Sequence, residues 1–278
     1  MTQITSPAMR YHGAKFRLAP WVISHFPNHR CYVEPFGGAA GVLLRKEPAY
    51  AEVYNDIDDE VVNLFQVLRD EKSNLALREL CALTPYSRKD FELAFESCDE
   101  PVEKARRMVV RATMGFGSAS ATKGNTGFRT DTKRRYATAM HLWSRYPENL
   151  AAICERLQSV LIENKPAVDV MKKHDAIDTL HYCDPPYVPE SRVKGNRYYQ
   201  HEMTEGDHEA LIKSVSMLDG MVVLSGYESD LYNDCLQGWK KEQKSSRISA
   251  GRGTTTRIEC LWLSPSCSDA LDKESAAA

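Results

Sequence analysis

The sequence predicts an α/β fold whose parallel sheet is split by a largely helical insertion. Strand and helix patterns alternate up to residue 70, helical patterns alone follow, and alternation resumes near residue 160. Strands that alternate with helices form parallel sheets with right-handed crossovers. We therefore expect three regions: a discontinuous domain over 1–70 and 159–265, an inserted helical domain over 71–158, and a flexible tail over 266–278.

Each expected element follows from its hydrophobic pattern. Short apolar runs that end at turn residues predict strands at 31–36, 51–56, 160–164, 180–183, 221–225 and 257–264. Apolar residues at helical spacing predict helices at 42–45, 59–70, 74–83, 88–97, 102–115, 135–145 and 148–158. Thr204 and Asp207 have the spacing of a capping box before a helix that reaches Leu218. The loop at 115–128 is rich in Gly, Ser and Thr, which is typical of a functional or disordered loop.

Composition excludes several classes of protein. The 278 residues contain no run of about 18 apolar residues, so no membrane span is expected. The N-terminus has no apolar signal-peptide run, so we expect a cytoplasmic protein. The eight cysteines form no C-x-x-C pair and no quartet with histidine, which favours reduced, buried thiols over a metal site.

Net charge is unevenly distributed. Overall it is −2, which on average argues against a nucleic-acid partner. Residues 103–147, however, carry ten Lys or Arg against two acidic residues, a net +8 that leaves −10 for the rest of the chain. Residues 240–257 are also basic, at +5. Such stretches are typical of phosphate-binding surfaces, although a solvated face would have the same composition.

A glycine-rich turn and an acidic residue point to a cofactor. Phe36-Gly-Gly-Ala-Ala-Gly41 follows a predicted strand, and Asp56 ends the next strand, 18 residues after Gly38. Glycines allow close approach of a ligand to the backbone, and an acidic residue at this spacing commonly binds ribose hydroxyls. The pair suggests an adenosine-containing cofactor. It does not separate a nicotinamide cofactor from S-adenosylmethionine, and a tight turn beside a solvated carboxylate would look the same.

Asp184-Pro-Pro-Tyr187 is the more specific motif. Its two prolines end the preceding strand and leave a rigid turn with a carboxylate, backbone carbonyls and an aromatic face. The Asp184 carboxylate and the Pro185 carbonyl could accept the two hydrogens of an exocyclic amine, and Tyr187 could stack on the base. The structural alternative is a proline turn with a packed tyrosine. Cys183 is interpreted as a strand residue rather than a nucleophile.

With these motifs the sequence resembles the Dam-type family of DNA adenine-N6 methyltransferases, from Arg10 to about Pro265. Three segments carry the resemblance in addition to the proline motif. Arg10-Tyr-His-Gly-Ala-Lys15 resembles the family's Lys-Trp-Ala-Gly-Gly-Lys, Val33-Glu-Pro-Phe-Gly-Gly-Ala-Ala-Gly41 resembles its Phe-x-Gly-x-Gly motif, and Tyr54-Asn-Asp-Ile57 resembles its ribose-binding segment. Tyr11 stands where the family often has Trp, and Ala14 and Ala40 each replace a Gly.

The resemblance implies a Rossmann-like, S-adenosylmethionine-dependent methyltransferase sheet with an inserted, mainly helical target-recognition domain. It implies that the cofactor contacts Tyr11, Lys15, Asp56 and Asp184, with Phe36 and Gly38 lining the same pocket. The catalytic turn would be Asp184, Pro185, Pro186 and Tyr187. The expected partner is double-stranded DNA, with no membrane and no metal, and the expected state is a monomer or weak dimer of bacterial or viral source.

The candidate DNA-binding residues are polar and basic side chains in the insertion and after the catalytic motif. They are Lys123, Asn125, Arg129, Lys133, Arg134, Arg135, Arg192, Lys194 and Arg197. Three alternatives remain open: a DNA-binding protein that has lost catalysis, an N4-cytosine methyltransferase, and a nicotinamide-dependent oxidoreductase. The last leaves the proline motif and the basic insertion unexplained. The loop at 115–136 lacks the motifs of GATC-specific relatives, so the recognition sequence is not predicted.

Overall fold

The computed structural model describes residues 4–117, 120–121, 124–132, 138–188, 199–250 and 253–277, without the side chains of 246–250 and 253–256. Its seven strands form one sheet in the order β3-β2-β1-β4-β5-β7-β6. The strands are β1 Cys31–Glu34, β2 Ala51–Asn55, β3 Val160–Glu163, β4 Thr179–Cys183, β5 Met221–Tyr227, β6 Lys240–Ala250 and β7 Gly253–Leu263. The first five are parallel, whereas β7 runs antiparallel to β5 and to β6. The predicted α/β sheet is confirmed.

Among the described residues there are eleven α-helices and one short 3-10 helix, Tyr146–Asn149. The α-helices are α1 Ala19–Ile23, α2 Asp59–Arg69, α3 Glu71–Leu83, α4 Arg88–Leu93, α5 Pro101–Met114, α6 Ala139–Ser144, α7 Leu150–Leu157, α8 Ala167–Lys173, α9 Glu205–Val215, α10 Asp230–Cys235 and α11 Pro265–Ala277. The capping box is confirmed, because the Thr204 and Asp207 side chains each bond the other's backbone N–H at the start of α9. Residues 42–45 form successive turns instead of the expected helix. None of the described helices is long and apolar enough to cross a membrane.

The helices between β2 and β3 share the core of the sheet. Leu77 of α3, Met108 of α5 and Ile153 of α7 are fully buried. They belong to the same hydrophobic cluster as Tyr32 of β1 and Leu180 of β4. An independent domain would have its own core. The described part of this segment is therefore mainly helical and continuous with the sheet, and its role in target recognition stays a prediction.

Strand β6 and the C-terminal segment differ from the sequence expectation. Strand β6 carries mostly polar and basic residues, so no apolar pattern predicts it, and its structure depends on pairing with β7 along its whole length. The expected flexible tail over 266–278 is wrong for the described residues, because α11 occupies this segment. Cys267 is fully buried, and Glu274 accepts a hydrogen bond of 2.7 Å from the Asn28 N–H. With so few buried residues, α11 has little apolar periodicity to reveal it.

A buried ion cluster joins the helical segment to the sheet. We name it the Glu52 cluster, and it consists of Lys46, Glu52 on β2 and Arg156 on α7. Glu52 Oε1 lies 2.7 Å from Lys46 Nζ and 2.9 Å from Arg156 Nη2, while Oε2 accepts from Arg156 Nη1. Burial alone would raise the pKa of Glu52, but its bonds to Arg156 and Lys46 outweigh burial and lower that pKa. Both carboxylate oxygens are thus paired with cations.

Candidate active site

A cavity of about 600 Å³ opens at the carboxyl ends of the parallel strands, the usual position of ligand sites in open α/β sheets. Its walls come from six segments: the N-terminal residues 11–15, the turn after β1, the turn after β2, the start of α8, the Asp184 turn, and positions within 199–214. Sequence motifs that are far apart along the chain therefore meet around one space.

The turn after β1 needs glycine at two positions. A Cβ atom on Gly37 would lie 2.1 Å from the Tyr54 ring, and one on Gly38 would lie 3.0 Å from the Tyr11 ring. Gly38 also has a φ of 49°, in the left-handed region. Ala40 adopts a φ of 52° although it is not glycine, which costs about 1–2 kcal/mol. The rings of Tyr54 and Tyr11 pack on the turn, and the turn keeps its left-handed backbone at position 40 although alanine stands there.

Asp56 is fixed by the same turn. Its Oδ2 accepts the Gly38 N–H at 2.8 Å, and its Oδ1 accepts the Asp58 N–H at 2.9 Å. Burial raises the pKa of Asp56 to about 6, although these two bonds act in the opposite direction. Since a carboxylate has about four acceptor positions, two remain for hydroxyl donors from a ligand.

Lys15 and Asp184 form a buried ion pair at the cavity wall. Lys15 Nζ lies 2.9 Å from Asp184 Oδ2 and donates a second bond of 2.9 Å to the Gly13 carbonyl. Burial would lower the pKa of Lys15, but the charges of Asp184 and Glu259 and the bond to Asp184 raise it. For Asp184, burial raises the pKa and the Lys15 charge opposes this. Residues 169 positions apart in the chain are joined by this pair.

The other oxygen of Asp184 is buried without a partner. Asp184 Oδ1 has almost no solvent contact and accepts no hydrogen bond in the described structure. Buried acceptors are nearly always bonded, so an unpaired one calls for a specific explanation. Asp184 and Pro186 both line the cavity. The arrangement suits a ligand that carries an N–H or O–H donor.

Tyr187 lies behind Lys15, outside the set of residues that line the cavity. Its hydroxyl donates to Glu259 Oε2 at 2.8 Å and lies 3.4 Å from Ser225 Oγ. The Tyr227 ring packs edge-on against the Tyr187 ring, with 4.5 Å between the two centroids. Lys15 Nζ lies 4.8 Å from the centroid of the Tyr187 ring. Sequence reasoning missed Glu259 and Tyr227. The available signal was one acidic residue within the apolar run of β7.

Sequence reasoning also missed residues 199–203, which line the cavity opposite the glycine turn. The Tyr199 hydroxyl donates to the His12 carbonyl at 3.3 Å, and its ring lies 6.1 Å from that of Tyr11. This contact ties the N-terminal segment to the stretch after the catalytic motif. No motif marks these residues. Cys183 is fully buried, and burial raises the pKa of its thiol, as expected of a strand residue.

Most candidate DNA-binding residues lie outside the described part of the chain, namely Lys123, Lys133, Arg134, Arg135, Arg192, Lys194 and Arg197. Asn125 is exposed, and its Oδ1 accepts the Gly127 N–H at 2.9 Å. Arg129 is only 4% exposed, close to the bridge between Gly115 and Phe128. Arg129 is thus packed inside the described structure, and its assignment as a DNA-binding residue stays a prediction.

Part of the basic charge of the insertion is internal. Arg106 and Arg107 both pair with Glu103 on the same helix, at 2.6 and 2.7 Å. Arg111 is buried, where it pairs with Glu60 of α2 and donates to the Ala94 carbonyl. The net +8 already subtracts Glu103, so among these contacts it is the pairing of Arg111 with Glu60 of α2 that lowers the charge offered to a partner. Among the described residues, no group of three or more His, Cys, Asp or Glu is placed to hold a metal ion.

Comparison with known proteins agrees with this geometry. The chain is similar to DNA adenine methylase of Salmonella typhi, at 25% identity over 268 residues that cover 91% of this chain and 92% of the relative. It is also similar to DNA adenine methylase of Escherichia coli K12, at 23% identity and the same coverage of both chains. A type II methyltransferase of Lactococcus lactis subsp. cremoris is 26% identical, covering 91% of this chain and 93% of the relative.

A family model covers most of the chain as well. Residues 11–248 match the D12 class N6 adenine-specific DNA methyltransferases. The matched range begins at Tyr11 and includes the glycine turn, Asp56 and the Asp184 motif. The chain therefore belongs to the D12 class N6 adenine-specific DNA methyltransferases, enzymes that methylate adenine in DNA.

Proposed function

We propose that the cavity binds S-adenosylmethionine and that Asp184 receives the amino nitrogen of an adenine flipped out of duplex DNA. Methyltransferases of this family use S-adenosylmethionine in general. The observation that carries the proposal is the buried, unpaired Oδ1 of Asp184 at the wall of the cavity. An acceptor of this kind is what an exocyclic amine requires.

The residues of the cavity suit the cofactor. Asp56 has two acceptor positions left for the ribose hydroxyls, and the Gly37-Gly38 turn allows the ligand to approach the backbone. Tyr11 offers a ring beside that turn. The positive charge of Lys15 would attract the cofactor's carboxylate. When bound, S-adenosylmethionine supplies an electrophilic methyl group on its sulfonium. The protein's part is to hold this group in line with the target nitrogen.

The Asp184 turn acts on the target base. The amino nitrogen of adenine is a poor nucleophile because its lone pair is delocalised into the ring. Asp184 Oδ1 accepts one amino hydrogen and the Pro185 carbonyl accepts the other, so that the nitrogen becomes more tetrahedral and its lone pair faces the methyl group. Lys15 fixes the carboxylate through Oδ2 at 2.9 Å and leaves Oδ1 for the substrate. Catalysis then depends on positioning and electrostatics.

Duplex DNA docks across the same edge of the sheet. The hairpin of β6 and β7 pairs with β5 only up to the Tyr227–Glu259 pair, and its remaining residues continue past β5. This edge is the one that carries Asp184, and the hairpin extends past it with residues 245–250 and 253–257 of the basic stretch, whereas Lys240 and Lys241 lie level with β5. Flipping an adenine costs a few kcal/mol, which contacts to the DNA backbone offset. We further propose that the protein acts in the cytoplasm as a monomer or weak dimer.

The test is methyl transfer from labelled S-adenosylmethionine to unmethylated bacterial DNA, followed by digestion to nucleosides. We expect N6-methyladenine, and a loss of at least about 100-fold in Asp184→Ala, since the electrostatic partner of the amine is removed. Asp169→Ala, at an exposed carboxylate on α8, is the matched control and should retain wild-type activity. N4-methylcytosine as the product would replace the proposed substrate, and wild-type activity in Asp184→Ala would remove Asp184 from the mechanism.

A further inference from the structure

We propose that Glu259 of β7 is a positioning residue for the reaction, which orients the ring of Tyr187 through the tyrosine hydroxyl. The inference rests on the proposed function, because it assigns a task to the tyrosine of the catalytic turn. Glu259 lies 75 residues after Asp184 in the chain and outside every sequence motif considered above.

The contact is short, buried and geometrically fixed. Glu259 is 7% exposed, and its Oε2 accepts the Tyr187 hydroxyl at 2.8 Å. Strand β7 places Glu259 directly opposite Tyr227 of β5, so both side chains lie on one face of the sheet. Tyr227 meets the Tyr187 ring edge-on, at 74° between ring planes. The hydroxyl and one edge of Tyr187 are therefore held by neighbouring strands as well as by its own turn.

The same carboxylate contributes to the charge pattern of the catalytic turn. Lys15 lies between Asp184, to which it is bonded, and the ring of Tyr187, over which its Nζ sits. The charges of both Asp184 and Glu259 raise the pKa of Lys15, whereas burial lowers it. Glu259 thus contacts the tyrosine directly and also supports the cation that fixes Asp184 Oδ2.

The orientation matters because a base can stack only on a ring whose plane is set in advance. An aromatic ring on a loop turns freely about its side-chain bonds, and a small misplacement near the reacting atoms lowers rates strongly. A hydrogen bond to an ionised carboxylate is about twice as strong as a neutral one. Glu259 therefore fixes the plane of the Tyr187 ring beside Lys15, at the back of the turn that receives the base.

The experiment compares two substitutions at one site. Glu259→Met keeps the volume but removes the acceptor, and we expect kcat for DNA methylation to fall about 10- to 100-fold. Glu259→Gln keeps an acceptor oxygen, and it should restore kcat to within about threefold of wild type. S-adenosylmethionine affinity, measured by calorimetry, should stay unchanged in both. Glu242→Met, on the neighbouring strand β6, is the matched control.

Two further measurements separate positioning from general stabilisation. In a Tyr187→Phe background the hydroxyl is absent, so Glu259→Met should lower kcat clearly less than it does in the wild type, and the remaining loss reflects the charge that Glu259 places near Lys15. In NMR of isotope-labelled tyrosine, the ring carbon that bears the Tyr187 hydroxyl, assigned with Tyr187→Phe, should shift in Glu259→Met but not in Glu242→Met. This spectrum requires no catalytic activity.

The outcomes are distinct. Equal losses from Glu259→Met in the wild-type and Tyr187→Phe backgrounds would overturn the proposal, as would a loss of cofactor affinity that accounts for the lower rate, or an unmoved Tyr187 resonance. If the wild-type protein methylates no DNA, the proposed function fails, and the resonance still decides whether Glu259 holds Tyr187.

Discussion

Two of the buried ion clusters in the described structure differ in how completely their carboxylates are paired. In the Glu52 cluster, between β2 and α7, both oxygens of Glu52 bond to cations. At the edge of the sheet that bears the cavity, Asp184 bonds Lys15 through Oδ2 alone and leaves Oδ1 buried and unpaired. Both lysines are about 6% exposed, so burial of the cation does not distinguish the two sites.

The pKa values of the two carboxyl groups follow the same contrast. Burial acts to raise both, but the cations around Glu52 outweigh it and lower that pKa, whereas the pKa of Asp184 remains raised. Complete pairing stabilises a charge for the fold, and incomplete pairing leaves a group whose environment a substrate can complete. The contrast supports the proposed role of Asp184 on physical grounds that are independent of its motif.

The largest expected effect is the loss of stability when the Glu52 cluster is broken. Glu52→Ala leaves Lys46 and Arg156 as uncompensated buried charges, and the free energy of unfolding should fall by about 3–5 kcal/mol. Urea denaturation measures this change. A triple replacement of Lys46, Glu52 and Arg156 by Met serves as the control and should be closer to wild type. A fall below about 1 kcal/mol in Glu52→Ala would show that the cluster does not join α7 to the sheet.

At Asp184 a substitution should lower activity strongly and stability only slightly. Asp184→Asn keeps the shape of the side chain but removes its charge, and single-turnover methyl transfer should slow about 10²- to 10³-fold. The same urea experiment should show a smaller change than Glu52→Ala, because Lys15 keeps the Gly13 carbonyl and the nearby Glu259 charge. Comparable destabilisation with intact activity would remove the distinction between the two clusters.

Asp56 should make cofactor affinity depend on pH. Its pKa of about 6 means that the ionised fraction falls from about 90% at pH 7 to about 10% at pH 5. Since the ionised form accepts from ribose hydroxyls, the affinity for S-adenosylmethionine should fall about tenfold over this range. Calorimetry at the two pH values checks this. Asp56→Asn should bind weakly with no such dependence, and an equal slope in that variant would assign the effect to another group.

Glu34 is a third buried carboxyl, and unlike Glu52 and Asp184 it accepts hydrogen bonds from neutral donors only in the described structure. It accepts from the Tyr32 hydroxyl and the Leu43 N–H, and burial raises its pKa to about 8. The folded state therefore binds a proton that the unfolded state has lost between about pH 5 and 8, so stability should fall by roughly 1 kcal/mol per pH unit as pH rises. Glu34→Gln should flatten this slope in denaturation curves recorded across the range, and an unchanged slope would contradict the assignment.

The sequence was sufficient for the residues that stand at strand ends. Asp56 and Asp184 each follow an apolar strand, and the carboxyl ends of parallel strands lie at one edge of a sheet, so their meeting could be predicted. The sheet itself followed from alternating patterns.

Features that depend on tertiary contacts could not be predicted in this way. Strand β6 depends on β7 for its pairing, and Arg129 is buried by packing that its charge does not reveal. Glu259 on β7 accepts the hydroxyl of Tyr187, which follows β4. Arg106 pairs with Glu103, three positions earlier on the same helix, instead of lying free at the surface. In each case the deciding partner comes from packing rather than from a sequence motif.

The continuous core between the helical segment and the sheet limits how this enzyme could be re-engineered. One way to change which DNA sequence is methylated would be to exchange residues 71–158 for the corresponding segment of a relative. That exchange would replace Leu77, Met108 and Ile153 in the shared core and remove the bond between Arg156 and Glu52. Specificity would be altered more safely by grafting loops alone. By the same reasoning, a chain truncated at residue 158 should not fold into an autonomous module, and thermal unfolding of the whole chain should be one cooperative event.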